Sequence, residues 1–188
     1  MPTRNILVLC GSLRTGSLNR MLANTLPELA PEGMRIAMAP EIGAIPPYNA
    51  DDQGRDGFPE PVEALAETIA GADGLIIVSP EYNYSVPGAL KNAIDWVSRL
   101  PDQPFRDKPV ALQSAAAGLL GGARMQYHLR QILVFLEAPV LTRPEVFVTF
   151  AKGKVDEERG VVTDAPTREM IAAQLAAFAG FVERFSRR

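Results

Sequence analysis

Cysteine, histidine and tryptophan each occur once in the 188 residues. A single cysteine cannot close an internal disulfide, and Cys10 with His128 cannot assemble a Cys/His zinc cluster. No apolar run approaches the roughly 20 residues that a bilayer-spanning helix needs. The apolar stretch nearest the N-terminus, Ile6 to Cys10, is too short for a secretory signal and reads as a strand. An excess of either charge sign is also lacking: 19 Lys and Arg against 22 Asp and Glu leave a net charge of −3. That balance supports neither nucleic acid nor an anionic membrane as a partner. A cytoplasmic protein without membrane or nucleic-acid partners is the expectation.

Strand-like runs stand at 5–10 (NILVLC), about 34–39, 74–79 (GLIIVS), 109–114 (PVALQS) and 145–150 (EVFVTF). Helical patterns lie between and after them, at about 18–29, 59–71, 88–100, 121–137 and 166–186. Strands alternating with helices predict βαβ units, hence a parallel sheet with helices on both faces. The first, third and fourth runs are nearly continuous in apolar residues, as strands buried on both faces should be. MRIAMA alternates more and reads as an edge strand. Residues 40–58, rich in Pro, Gly and Asp, and 151–165, charged and glycine-containing, read as loops. No linker or repeat interrupts the plan, so residues 1–188 are expected to form one domain.

The first chemical motif follows strand one: Gly11-Ser12-Leu13-Arg14-Thr15-Gly16-Ser17-Leu18-Asn19. A loop bearing glycine, hydroxyls and an arginine leads into a helix N-terminus, where unpaired N–H groups and a partial positive charge suit a phosphate. Ser12, Thr15, Ser17 and Asn19 offer hydrogen bonds, and Arg14 a charge-assisted one. Gly11 and Gly16 have the spacing of a nucleoside-triphosphate loop, but Ser17-Leu18 stand where that loop has its lysine. Leu13 likewise breaks the G-x-G-x-x-G dinucleotide pattern. A terminal monophosphate remains well suited. Simple capping of the helix by Ser17 or Asn19 is the structural alternative.

The second motif is LIIVSPEYNYSVPGALKNAIDW, residues 75–96. An apolar strand breaks at Ser79-Pro80 into a loop with Tyr82, Asn83 and Tyr84, and Pro87-Gly88 then opens a helix. Two rings and an amide between prolines, at a strand's carboxyl end, suit stacking and edge hydrogen bonds to a flat heteroaromatic ligand. Trp96 reads as core. Lys91 and Asn92 read as supports of this loop, and Pro46-Pro47-Tyr48-Asn49 as a candidate pocket mouth.

Together, GSLRTGSLN and SPEYNYSVPGALKNAIDWVSR resemble the NADPH-dependent FMN reductase family of flavodoxin-like proteins, closest to its quinone and chromate reductase branch. The likeness runs through GGARMQYHLRQIL to about residue 150. It implies a flavodoxin-like three-layer α/β sandwich, with five parallel strands in the order 2-1-3-4-5 and FMN bound noncovalently between strands one and three. By that resemblance the phosphate sits on Ser12, Arg14, Ser17, Leu18 and Asn19. The isoalloxazine ring lies along Pro80, Glu81, Tyr82, Asn83 and Tyr84, with further contacts at Ser114 and Gly118.

What the resemblance implies is an FMN-dependent oxidoreductase that takes electrons from NAD(P)H and passes them to quinones, with chromate, azo compounds and free flavin as further acceptors. Such chemistry resides in the cofactor and needs no side-chain nucleophile. Consistently, the chain has no G-x-S-x-G elbow; His128 reads as a surface or interface residue and Cys10 as a buried, inert thiol. The family also implies a homodimer or homotetramer, in which Arg124, Tyr127 and Glu145 join subunits; a solvated helix face is the alternative for these three. The competing function is a flavodoxin-like electron carrier or flavin-binding regulator. A carrier usually has a strongly acidic docking face, and an acid excess of three argues against one.

Overall fold

A computed structural model of the chain describes residues 3–186. Five strands, β1 (Arg4–Cys10), β2 (Met34–Met38), β3 (Gly74–Val78), β4 (Val110–Ala115) and β5 (Val146–Val148), pair in parallel in the order 2-1-3-4-5. β1 lies between β2 and β3, with Val8 opposite both Met38 and Ile76. All five residues of β3 are buried, which is why its sequence carries no polar alternation. β2 pairs on one side only and exposes Arg35, Ala37 and Met38, as its alternating sequence predicts.

The period-2 geometry of the strands sorts their side chains into two cores. Leu7, Leu9, Leu75 and Ile77 face helices α3 (Glu60–Ala70), α4 (Gly88–Val97) and α5 (Ala123–Phe135). Ile6, Val8, Ile76 and Val78 face α1 (Leu18–Leu29) and α6 (Ala165–Ser186). The outcome is the three-layer sandwich implied by the resemblance. Each fully buried leucine or isoleucine in these cores contributes about 1.5–3 kcal/mol, and they anchor the strand ends from which the three site loops spring.

Two segments expected as loops contain structure. Residues 40–58 hold a 3-10 turn (Ile42–Ala44) and the helix α2 (Ala50–Asp56). Asn49 caps α2, its side chain accepting from Asp51 N at 3.0 Å. No residue of α2 is buried, so it shows no apolar periodicity. Residues 151–165 hold a 3-10 turn (Ala151–Gly153) and a hairpin of two-residue strands, β6 (Val155–Asp156) and β7 (Val161–Val162). That hairpin is fastened to α1: Val162 N donates to Thr25 Oγ1 at 2.9 Å, and Thr25 Oγ1 donates to Met21 O at 2.8 Å. Among the described residues no helix is long and apolar enough to cross a membrane.

Candidate cofactor site

At the carboxyl end of β1 the chain turns at Gly11, whose N–H donates to Val78 O at 2.9 Å. A left-handed Gly16 (φ 68°) then leads to Ser17, the N-cap of α1, whose Oγ accepts from Arg20 N at 3.3 Å. The capping role anticipated for Ser17 is therefore real. It coexists with a place on the cleft wall, because only one of the first-turn donors is satisfied this way. The N–H groups of Leu18 and Asn19 stand in the first turn without intrahelical partners. Ser12 and Ser17 are buried, whereas Arg14 is exposed, and among the described residues Arg14 forms no ion pair. Asn19 departs from its expected role. Its Nδ2 donates to Ala115 O and its Oδ1 accepts from Ala115 N, both at 2.9 Å. The side chain thus locks α1 to the end of β4, and only the backbone N–H remains to serve a ligand.

The loop after β3 closes as a two-residue turn. Tyr82 N donates to Ser85 O at 3.0 Å and Ser85 N to Tyr82 O at 2.9 Å. Between them Asn83 (φ 47°) and Tyr84 (φ 69°) are both left-handed, the signature of a type I′ turn. Such a conformation costs a bulky L-residue about 1–2 kcal/mol. Tyr84 is held there by Arg124, whose guanidinium carbon lies 3.5 Å from the ring centroid. The same guanidinium pairs with Glu81, while Glu81 Oε2 accepts from Arg124 N at 3.1 Å and Met125 N at 3.3 Å. A carboxylate at the α5 N-terminus is stabilised by the helix dipole. The hydrogen bond that the guanidinium donates to Glu81 raises the Arg124 pKa further above its already high ordinary value.

Near the carboxyl end of β4, Ser114 is fully buried. Its hydroxyl donates to Gly121 O at 2.6 Å and accepts from Gln126 Nε2 at 2.8 Å. The hydroxyl is thus engaged in shaping the loop, and Ser114 lines neither cleft. A Cβ on Gly122 (φ 88°) would lie 2.8 Å from Ser114 Oγ, so the turn into α5 requires glycine.

Two adjoining clefts open where these loops meet. The first, about 220 Å3, is walled by Ser12, Arg14, Ser17, Leu18 and Asn19 on one side, by Pro80, Glu81 and Tyr82 on the other, and by Ala115–Ala117. The second, about 330 Å3, is lined by Glu81, Ala116, Gly118–Gly122 and Arg124. They share Glu81 and Ala116, and jointly they fall within the ~300–1,000 Å3 common for small-ligand sites. The first cleft presents helix N–H groups, hydroxyls and Arg14 with Tyr82 on the facing wall; the second is lined largely by Ala116, glycines and leucines of the loop after β4. That polarity fits a monophosphate joined to a flat ring, as in FMN. Gly118 lines the second cleft, Asn83 and Tyr84 form the tip of the turn and line neither cleft, and Ser114 is buried beneath the loop.

Sequence reasoning missed Ala115–Ala117 and the link between Glu81 and Arg124. The alanines carry no chemical signal, and the ion pair spans 43 positions. The diglycine Gly121-Gly122 ahead of α5 was the one legible hint of a shaped turn. Arg124, Tyr127 and Glu145 all have neighbours within the chain: Arg124 holds Glu81, Tyr127 lies 6.4 Å from the Phe147 ring, and Glu145 lies 3.8 Å from Arg130. His128 is exposed, with Nδ1 2.9 Å from Ser85 Oγ. Cys10 is buried, which pushes its thiol pKa up. Trp96 is core, edge-on to Tyr48 at 4.9 Å. Asn92 supports a different loop from the one expected, accepting from Tyr48 N and donating to Pro46 O, each at 2.8 Å. Accordingly Pro46 and Pro47 border a separate cleft of about 410 Å3 rather than the mouth of this one. Among the described residues no group of His, Cys, Asp and Glu is placed to hold a metal.

Known proteins share both this arrangement and the sequence that builds it. A quinone reductase of Escherichia coli strain K12 is 55% identical over 179 residues, covering 95% of each chain. An NAD(P)H:quinone oxidoreductase of Solanum tuberosum is 43% identical, covering 94% of this chain and 91% of its own. The solved structure of FerB, a flavoenzyme NAD(P)H:(acceptor) oxidoreductase from Paracoccus denitrificans, superposes with a TM-score of 0.85 at 33% identity, over 97% of this chain and 99% of that one. The family model for NADPH-dependent FMN reductase matches residues 4–153, a span that takes in all five sheet strands and every loop of the cleft. By sequence and by fold, the chain belongs to the NADPH-dependent FMN reductase family.

Proposed function

We propose that the chain is an NAD(P)H:quinone oxidoreductase that holds FMN noncovalently across the two clefts, with chromate, azo compounds and free flavin as secondary acceptors. The observation that carries this reading is the joining of a phosphate-type cradle and an aromatic turn in one continuous groove at the ends of β1, β3 and β4. When bound, FMN supplies the two-electron transfer from nicotinamide to acceptor.

The chain's own residues bind and orient. Ser12, Ser17, Arg14 and the N–H groups of Leu18 and Asn19 hold the phosphate. Pro80, Glu81, Tyr82, Asn83 and Tyr84 form the bed of the ring, and Gly118 lets backbone approach it. Ser114 and Gly122 hold the third loop in place. Leu119, Leu120, Tyr82 and Tyr84 are exposed around the groove, an apolar rim that accepts a flat, poorly hydrated quinone and excludes water from its contact face. The acceptor takes the place vacated by the nicotinamide.

The proposal extends to a cytoplasmic, single-domain protein over residues 1–188, of which residues 1, 2, 187 and 188 lie outside the described residues. It also includes a homodimer or homotetramer, supported by the exposed Val134 and Phe135 at the end of α5. The deciding experiment is anaerobic. The FMN-loaded protein is mixed with NADPH or NADH and the yellow flavin absorbance is followed, then a benzoquinone is added. Rapid bleaching reversed by stoichiometric quinone is expected. Bound flavin that neither nucleotide bleaches would make the chain an electron carrier, and failure to bind FMN would remove both readings.

A further inference from the structure

Glu81 borders both clefts, and its side chain is only 8% exposed. A carboxylate so placed carries its charge into a poorly screened region, where Coulomb interactions are several times stronger than in water. Arg124 meets it with its guanidinium while the α5 backbone supplies two N–H donors. The guanidinium plane is at the same time stacked on Tyr84. One side chain therefore balances a buried charge and braces a left-handed turn.

We infer that Arg124 is a positioning residue that neutralises Glu81 and thereby sets how strongly the site prefers reduced over oxidised FMN. The inference rests on the reading that the Pro80–Tyr84 loop carries the isoalloxazine ring. NAD(P)H delivers a hydride, one proton with two electrons, leaving NAD(P)+ and a ring with one added negative charge. With the ion pair intact, the nearest side-chain charges cancel and this gain is not opposed. Without the guanidinium, Glu81 stands as an anion beside a ring that must itself become anionic, and the reduced form is disfavoured. Without the carboxylate, Arg124 is left as a cation and the reduced form is favoured. Opposite signs from the two halves of one pair are what an electrostatic role demands. A mechanical prop would instead weaken both redox forms alike.

The test compares Arg124→Gln, Glu81→Gln, the double variant and Arg124→Lys. Oxidised FMN affinity is measured on apo-protein by flavin fluorescence quenching, and the two-electron potential of bound FMN by anaerobic titration against a reference dye. Arg124→Gln should cut the ratio of reduced to oxidised affinity about tenfold, a potential about 30 mV more negative for a two-electron couple. Glu81→Gln should raise the ratio, and the double variant should return to within about threefold of the parent. Arg124→Lys keeps the charge but loses the fork and the stacked plane, so both affinities should fall while their ratio holds. If Arg124→Gln fails to retain FMN, Glu81→Gln carries the test by its opposite sign. Both affinities falling together in Arg124→Gln and Glu81→Gln, with the ratio unmoved, would overturn the charge-balancing role and leave only a brace. No change in spectrum, affinity or ratio in any of these variants, nor in Tyr82→Ala, would instead overturn the assignment of the ring to this loop.

Discussion

Gly11 and Ser79 approach so closely that a Cβ built on Gly11 would lie 2.5 Å from Ser79 Oγ and 2.9 Å from Ser79 Cβ. The contact joins the first residue after β1 to the first after β3, so the phosphate end and the ring end of the cleft share one rigid floor. Gly11→Ala must push these loops apart. Overpacking of this kind costs about 1–3 kcal/mol, or a fall in Tm of about 2–4 °C per kcal/mol for a chain of this size. Oxidised FMN affinity should fall with it. Gly118→Ala is the control, because a Cβ there meets nothing within 4 Å; its effect on stability should stay within about 0.5 kcal/mol. Equal melting temperatures for the two variants would contradict the shared floor.

Asn19 makes a second seam, between α1 and β4. Its amide satisfies both the N–H and the C=O of Ala115, and Asn19 is buried. Asn19→Ala strands two backbone groups, at about 1–3 kcal/mol each. Asn19→Asp keeps the acceptor for Ala115 N but sets a carboxylate oxygen against Ala115 O, so it should be no better tolerated. Urea unfolding of the apo-protein reads the loss without any contribution from ligand. An Asn19→Ala protein as stable as the parent would show that the seam is not needed.

The same two residues mark how far the sequence could be read. Glycine at 11 and asparagine at 19 stand out as parts of a phosphate-type loop, and the loop does line the cleft. That the Asn19 amide turns inward to Ala115 was hidden, because its partner is 96 positions away and has no side-chain signature. β1, β3 and β4 were legible because burial on both faces leaves nearly continuous apolar runs. β5 pairs over only three residues, Val146–Val148, so its expected span of 145–150 was too long. α2 and the β6–β7 hairpin escaped notice for the opposite reason. One has no buried face and the other has two-residue strands, so neither leaves the periodicity by which an element is recognised.

Acid stability should depend on Asp164, which precedes α6. Its Oδ2 accepts from Thr167 N at 3.0 Å and from Thr167 Oγ1 at 2.5 Å. The Thr167 hydroxyl bond, then its backbone bond, hold the Asp164 carboxyl below its ordinary value, with the charge of Lys154 adding to them. A depressed folded-state pKa means that the unfolded chain takes up the proton first as pH falls. The stabilisation is complete above the ordinary carboxylate range and is lost as pH drops through the lowered value. Asp164→Asn preserves a capping oxygen but cannot titrate. Its Tm should lie below the parent's near neutrality, where only the parent carries the charged cap, and fall less steeply in acid, so that the two converge. Superimposable acid limbs would rule out Asp164 as a contributor.

Arg14 offers the cleanest separation of the two ends of the cofactor. It lines the first cleft and is exposed. A hydrogen bond to a charged group is worth about 1.5–3 kcal/mol, and solvent screening at an exposed site brings that to its lower end. Arg14→Ala should therefore weaken FMN about tenfold, with the difference from the parent shrinking as salt is added. Riboflavin, which has the ring but no phosphate, should bind parent and variant alike. Fluorescence titrations of both flavins against both proteins supply the four affinities. A loss that appears equally for riboflavin would mean that Arg14 acts on the ring or on the fold, and the phosphate would then need another cation. A loss confined to FMN and erased at high ionic strength fixes the phosphate end of the groove at the β1–α1 loop, and so orients the ring toward Tyr82 and Tyr84.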